Sequence, residues 1–326
     1  MQPWTLVCDL PAPICDAAPV DGRHVVALGA SVVVIERGAV TRSFTCPARH
    51  LVSAADARSV LCVSPVIDPP EHHPLRRISP PEERRRTRQV WRLAAPWERP
   101  QPLGVAEVEG FSPTYDGHLW PTYEGDDVRL LACAGDRIEV AAEHASFWPT
   151  AIERTPDGVW LETSSLGMSH FEALALPTLA PRERGDLRLC PLEFPPEQVT
   201  HALHSPALAH PIFAVDAAAI PVSCPNGHMV THPIRGVHRV ATLDRVVTPL
   251  PTPAAGLVGA GERALCWTSD ARGTQLLTID LAAAQVTARR PLDEPQVGAR
   301  FFGRTALLWS RAAPPGRPHR LLTAHL

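Results

Sequence analysis

The chain has 326 residues, 31 basic and 34 acidic, a net charge of −3, 45% hydrophobic and 20% charged residues. That is too long for one ordinary small core, and suits two domains or one closed array of repeated sheets. The hydrophobic content excludes disorder as a whole, and the near-neutral charge excludes a general polyanion-binding surface, so nucleic acid is not the default partner. The basic residues are all Arg, with no Lys, and Pro is abundant at 36. This reads as the codon bias of a GC-rich bacterial genome, not as a binding site.

The N-terminal stretch Met1 to Leu10 has neither a basic start nor an uninterrupted apolar run, and no run approaches 18 apolar residues. The expectation is a soluble, cytoplasmic protein. Eight Cys stand singly, as in Leu61-Cys62-Val63 and Leu265-Cys266-Trp267, without a Cys-x-x-Cys pair. They read as buried small hydrophobes, not as a disulfide framework.

Short runs of Val, Ile, Leu, Thr and Trp, broken every 8 to 12 residues by Gly, Pro or Asp, predict an almost purely β protein. After a first strand, Trp4 to Leu10, a unit opens at the turn Asp21-Gly22 and continues through Ser31 to Ile35 and Val40 to Phe44. A second begins near Leu51-Val52, with Ser59 to Val63, and resumes at Gln89 to Leu93 after a long insertion. The third runs from Tyr115-Asp116-Gly117-His118-Leu119-Trp120 through Val128 to Cys133 and Arg137 to Val140. The fourth is Pro156-Asp157-Gly158-Val159-Trp160-Leu161 followed by His170 to Leu174. A fifth, least regular unit spans about 204 to 251, with strands near Ile212 to Val215, Ile220 to Ser223, Met229 to Pro233 and Val237 to Thr242.

The last two units are a matched pair. Gly261-Glu-Arg-Ala-Leu-Cys-Trp267 and Gly303-Arg-Thr-Ala-Leu-Leu-Trp309 agree at Gly, Ala, Leu and Trp with a constant offset, and each runs on to a second apolar strand, Leu276-Leu277-Thr278 and Leu321-Leu322-Thr323. Fixed-period strand units of this size are the sequence form of a β-propeller, in which each small sheet buries its faces against its neighbours. Seven units average about 47 residues, near the length of a propeller blade. The expectation is an all-β chain forming one closed seven-bladed propeller of four-stranded blades over residues 1–326. The strand from Trp4 to Leu10 would complete the last blade, which removes two exposed sheet edges. A six- or eight-bladed ring or a two-sheet arrangement is the alternative.

The sequences Asp116-Gly-x-Leu-Trp120 and Asp157-Gly-Val-Trp160 resemble the strand-turn signature of bacterial seven-bladed propellers of the two-component-regulator sensor type. In such a turn Asp and Gly accept positive φ, and the Trp packs between adjacent sheets. A Pro- and Arg-rich propeller with irregular blades is also similar in general appearance to the propeller subunits that accompany a MoxR-type ATPase and a von Willebrand A protein in bacterial conflict systems. That resemblance implies a multi-protein assembly in defence or regulated cell death.

Three candidate sites follow. The insertion from about Asp68 to Arg88 carries Pro69-Pro-Glu-His-His-Pro74 and the cations Arg76, Arg77, Arg84, Arg85, Arg86 and Arg88. Pro and clustered like charge predict a loop or arm on one rim, usable as a docking or protease-sensitive segment, or simply a solvated insertion. Cys224-Pro-Asn-Gly-His228 with His232 offers a thiolate and imidazoles across a tight turn, a donor set that Zn²⁺ accepts, although the spacing matches no standard zinc module. Asp126, Asp127, Glu162 and Asp216 are the carboxylates that an enzyme acting in a central funnel would draw on. No Gly-x-Ser-x-Gly, His-Glu-x-x-His or P-loop motif occurs. The reading is a non-catalytic protein-interaction scaffold without cofactor, whose partner is another protein encoded nearby, with no membrane role. A ligand- or metal-sensing propeller and a propeller enzyme are the alternatives.

Overall fold

The computed structural model describes residues 4–67, 87–165, 168–188, 199–203, 212–216, 219–223, 229–233, 238–241, 246–270 and 273–325. Among the described residues the regular structure is entirely strand, and no helix is long and apolar enough to cross a membrane. The chain separates into two compact units: Leu6–Ser165 with Ser169–Asp186, and Met1–Thr5, Leu166–Met168 with Leu187–Leu326.

After β1 (Thr5–Leu10), the first unit runs through four sheets in chain order. The meander β2 (Asp16–Val20), β3 (Arg23–Ala27), β4 (Gly29–Glu36) and β5 (Ala39–Ala48) comes first. Its β2–β3 hairpin turns on Asp21 and Gly22 at φ 50° and 71°, the two left-handed residues a type I′ turn requires. Val25, Val26, Val32, Val34 and Ile35 are fully buried, whereas β5 is exposed along most of its length. The inner strands are covered on both faces, so they read as continuous apolar runs; the outer strand faces water and turns polar.

The second sheet is β6 (His50–Ala54), β7 (Ser59–Val63), β8 (Thr87–Ala94) and β9 (Gln101–Glu107). Next come two short strands, β10 (Gly110–Phe111) and β11 (Thr114–Tyr115), of which only β10 joins the third sheet, with β12 (Leu119–Glu124), β13 (Asp127–Ala134) and β14 (Arg137–Ala145). β11 pairs parallel with β6, Thr114 opposite Ser53 and Tyr115 opposite Ala54. Tyr115, grouped in sequence with the residues of the third sheet, therefore belongs to the second sheet. The fourth sheet is β15 (Pro149–Thr155), β16 (Gly158–Ser165), β17 (Met168–Ala175) and β18 (Ala180–Arg188).

In the second unit, β19 (Val199–Leu203) and β20 (Ile212–Asp216) share a sheet with β23 (His238–Ala241) and β24 (Val246–Leu250). Between them β21 (Ala219–Ser223) and β22 (Met229–Pro233) form a separate two-stranded ribbon. The four strands expected in this irregular stretch thus divide between a ribbon and a sheet, and the sheet takes its outer members from residues the pattern had not marked. The meander β25 (Ala254–Ala260), β26 (Arg263–Asp270), β27 (Gly273–Asp280), β28 (Gln285–Leu292) follows. Last come β29 (Gln296–Phe302), β30 (Thr305–Ala312) and β31 (His319–His325), paired antiparallel in that order. Trp4 packs against the core shared by this sheet and the one before it.

The core sits between neighbouring sheets. Trp120, Tyr115, Leu61, Val90 and Leu131 pack the second sheet against the third. Val128, Leu130, Leu161 and Leu174 pack the third against the fourth. In the other unit Val240, Cys266 and Leu277 fill one inter-sheet layer and Leu265, Trp267, Leu308 and Leu322 the next. Polar staples run between sheets as well. The buried Asp16 carboxylate accepts from Ala17 N at 2.9 Å and, across to the second sheet, from Leu51 N at 2.8 Å. Ser112 Oγ accepts from Arg154 N of the fourth sheet at 2.9 Å.

The matched pair occupies identical positions. Trp267 lies opposite Leu276 and Trp309 opposite Leu321, while Gly261 and Gly303 turn the two hairpins at φ 57° and 58°. The match also extends upstream, to Gly256 opposite Trp267 and Gly298 opposite Trp309.

The two Asp-Gly motifs differ from expectation. In the first only Gly117 is left-handed, at φ 99°; Asp116 instead accepts from His118 N at 2.8 Å and Leu119 N at 2.6 Å. Gly158 is needed for close approach, because a Cβ there would lie 2.3 Å from the Leu174 carbonyl oxygen. Trp120 is four residues past its Asp and points into the inter-sheet core. Trp160 is three past its own, so the two-residue side-chain period turns it to the opposite face, where it stacks on Phe171 at 5.2 Å.

Cys8, Cys46, Cys62, Cys133 and Cys266 are buried, as the apolar contexts imply. Burial pushes the thiols of Cys133 and Cys266 up to about 12. Iodoacetamide at pH ~8, where an ordinary thiol near 8.5 is partly ionised, is expected to leave both unmodified in the native chain and to alkylate both in urea. Peptide mapping that finds native Cys266 alkylated would contradict this burial.

Candidate functional site

A cavity of about 450 Å³ opens at one end of the first three sheets, lined by Asp21, Arg58, Ser59, Arg92, Ala94, Ala95 and Gly117. Its residues come from the β2–β3 turn, the β6–β7 turn with the adjoining end of β8, and the β11–β12 turn. Pairing holds these turns level: Ser59 lies opposite Ala94, and Asp21 N donates to Ala57 O at 2.7 Å.

Behind Ser59, the fully buried Tyr115 brings its hydroxyl to 2.5 Å from Ser59 Oγ. Burial, the largest influence, raises the Tyr115 phenol above its ordinary range, so it stays neutral and hydrogen-bonding. Arg92 is half-buried and spends one Nη2 proton on the Cys133 carbonyl. Arg58 is exposed, and among the described residues it forms no ion pair. Asp21 is committed to Arg23 at 3.1 Å, which also holds Glu36. The cavity thus presents two guanidinium groups and a hydroxyl. This is donor chemistry for a carboxylate or phosphate, in a volume that admits a side chain or small ligand instead of a bare ion.

The sequence had placed its candidates elsewhere. Arg76, Arg77, Arg84, Arg85 and Arg86 lie outside the described residues, as do Cys224 and His228. Arg88 is buried at the start of β8: Nε donates to Val108 O at 3.3 Å, Nη1 to Ser64 O at 3.1 Å, and the guanidinium lies 5.8 Å from the Phe111 ring centroid. Its guanidinium is turned inward, onto main-chain carbonyls on both sides of β8. His232, on β22, lies opposite Ile220. Asp126 lies in the β12–β13 turn, where it accepts from Trp148 N at 3.1 Å, and Asp127 opens β13, 3.4 Å from Arg129. Glu162 is buried on β16 of the next sheet, and Asp216 lies on β20 opposite His238.

Arg58, Ser59, Arg92 and Tyr115 were missed. The available signal was the recurrence of Asp-Gly turns: Asp21-Gly22 and Asp116-Gly117 stand at the same end of different sheets, and both contribute to the cavity wall.

No protein-family model and no curated protein sequence matches the chain. Solved structures do. The β-propeller domain of Cps50 (Swd1) from Myceliophteria thermophila superposes with a TM-score of 0.56 at 11% identity, covering 98% of this chain and 99% of that one. Kuenenia stuttgartiensis hydrazine synthase gives 0.55 at 12% identity, covering 98% and 96%. The Pan2 WD40 domain of Neurospora crassa gives 0.52 at 12% identity, covering 98% and 94%. At these identities the likeness is one of fold: the chain is all-β, of the kind found in WD40 and related β-propeller domains.

Proposed function

We propose that the chain is a non-catalytic protein-interaction scaffold, one propeller of seven blades whose N-terminal strand completes the last. Supporting the architecture are seven sheets of four or five strands among the described residues and the likeness in fold to solved β-propeller domains. WD40 propellers typically serve as interaction platforms, because a rigid ring holds many variable turns in fixed register. The observation that carries the proposal is the cavity bearing Arg58 and Arg92, built from turns of three successive sheets, which suits capture of an acidic group on a partner protein.

The resemblance to conflict-system propellers makes a neighbouring gene product of a bacterial host the first partner to test, with the segment at 68–88 as a docking or protease-sensitive arm. The test is affinity capture from the native host with the full chain as bait, repeated with Arg58→Glu. One specific partner, held at least about tenfold more weakly by R58E, as loss of a charged hydrogen bond implies, is the expected result. Failure to retain any host protein would sink the scaffold reading; equal retention by R58E would remove the cavity from it.

A further inference from the structure

Phe147 and Trp148, on the β14–β15 connection, are 57% and 59% exposed and stack on each other with centroids 4.8 Å apart and an interplanar angle of 21°. Large aromatic side chains seldom stand in water as a pair, since their burial elsewhere is favourable, and Trp is the residue most enriched where partner proteins bind tightly. The pair is also held in place. Trp148 sits at φ 49°, unusual for a bulky residue, and its N–H donates to Asp126 Oδ1 at 3.1 Å, while Ser146 N donates to Asp126 O at 2.8 Å.

The ground around the pair is acidic. Asp126 grips the loop from the neighbouring turn, and Asp127 lies opposite Ala145, two residues before Phe147. Arg129 is the cation among them, at 2.7 Å from Glu124, 2.7 Å from Glu143, 3.4 Å from Asp127 and 3.9 Å from Glu107. Five carboxylates, Glu107, Glu124, Asp126, Asp127 and Glu143, against the one guanidinium of Arg129 leave a formal local charge of −4. Asp127 and Glu143 are half-exposed, so their field reaches solvent.

We propose that Phe147, Trp148 and this carboxylate rim form a docking surface for a basic, apolar peptide segment of a partner protein. Arg or Lys of that segment would lie over the Trp148 face and against Asp127 and Glu143, and a flanking aliphatic or aromatic side chain would cover Phe147. A cation over an indole combines ring attraction with charge pairing, and the aromatic pair supplies the apolar contact that charge alone lacks. The surface is separate from the Arg58–Arg92 cavity, whose charge is opposite, and the inference rests on the interaction-scaffold reading.

The test uses an array of synthetic 12-residue peptides carrying Arg or Lys with Leu or Phe, beside counterparts in which Asp or Glu replaces each cation. The purified full chain is applied as wild type, Phe147→Ser/Trp148→Ser, Glu143→Lys and Arg58→Glu. Basic apolar peptides are expected to bind wild type and R58E alike, to bind F147S/W148S at least about tenfold more weakly, and to weaken as salt rises from about 50 to about 300 mM. E143K is expected to weaken basic peptides and to leave an uncharged apolar control unchanged, a readout independent of the aromatic pair. An unchanged melting temperature of F147S/W148S shows that its loss is not unfolding. Undiminished binding by that variant, preference for the acidic counterparts, or no binding of any basic peptide overturns the proposal. If wild type and F147S/W148S then capture the same host partner equally, the scaffold reading stands without this surface; if neither captures one, the scaffold reading itself fails.

Discussion

Trp120→Ala is expected to destabilise the first unit by about 3–5 kcal/mol, the range for deleting a large aromatic side chain from a packed core. The indole is fully buried between the second and third sheets, in one core with Tyr115 and Leu131 and 5.3 Å from the Phe111 ring, and its Nε1 donates to Ser112 O at 3.1 Å. The same replacement at Trp160, in the other Asp-Gly motif, is expected to cost only about 1 kcal/mol, since the ring is half-exposed and stacked on Phe171. Urea denaturation of both variants checks the contrast. Equal losses would mean that the two indoles do not face opposite sides of their sheets.

The second large effect lies at the matched pair. A Cβ added to Gly256 would stand 2.1 Å from the Trp267 ring, and one added to Gly298 would stand 2.5 Å from the Trp309 ring. Both indoles are buried, so neither can swing aside without opening the inter-sheet layer. Gly256→Ala is expected to cost about 1–3 kcal/mol through overpacking. Trp267→Ala costs about 3–5 kcal/mol by itself, yet the double variant should lose less than the sum, by a coupling of about 0.5–3 kcal/mol. The same cycle at Gly298 and Trp309 should give the same sign. Strict additivity at both sites would show that glycine is not there to seat the ring.

These glycines mark how far the pattern of residues could be read. The repeat of Gly261 and Gly303 was visible because a turn's residue preference is local. Gly256 and Gly298 keep the same offset, but their reason is a cross-strand indole, and pairing is needed to see it. Tyr115 shows the opposite failure. It follows the third unit's pattern in sequence, but its strand adds to the second sheet by parallel pairing, which no alternation of side chains announces. Arg88 closes a charged run that looked solvated, and only the carbonyls of Ser64 and Val108 reveal it as an internal anchor.

By itself, then, the sequence determined the β class, the hairpin turns on glycine and the inner apolar strands, because φ preference, period-two alternation and hydrophobic runs act within a few residues of one another; the outer strands, more polar and exposed, carry no such local signal. The tertiary structure decided which turns share an end of the stacked sheets. The Ser59–Tyr115 contact spans 56 positions and the Arg92–Cys133 contact 41. Contacts at such separations follow from sheet-on-sheet packing, so the candidate cavity came into view only when the sheets were laid side by side.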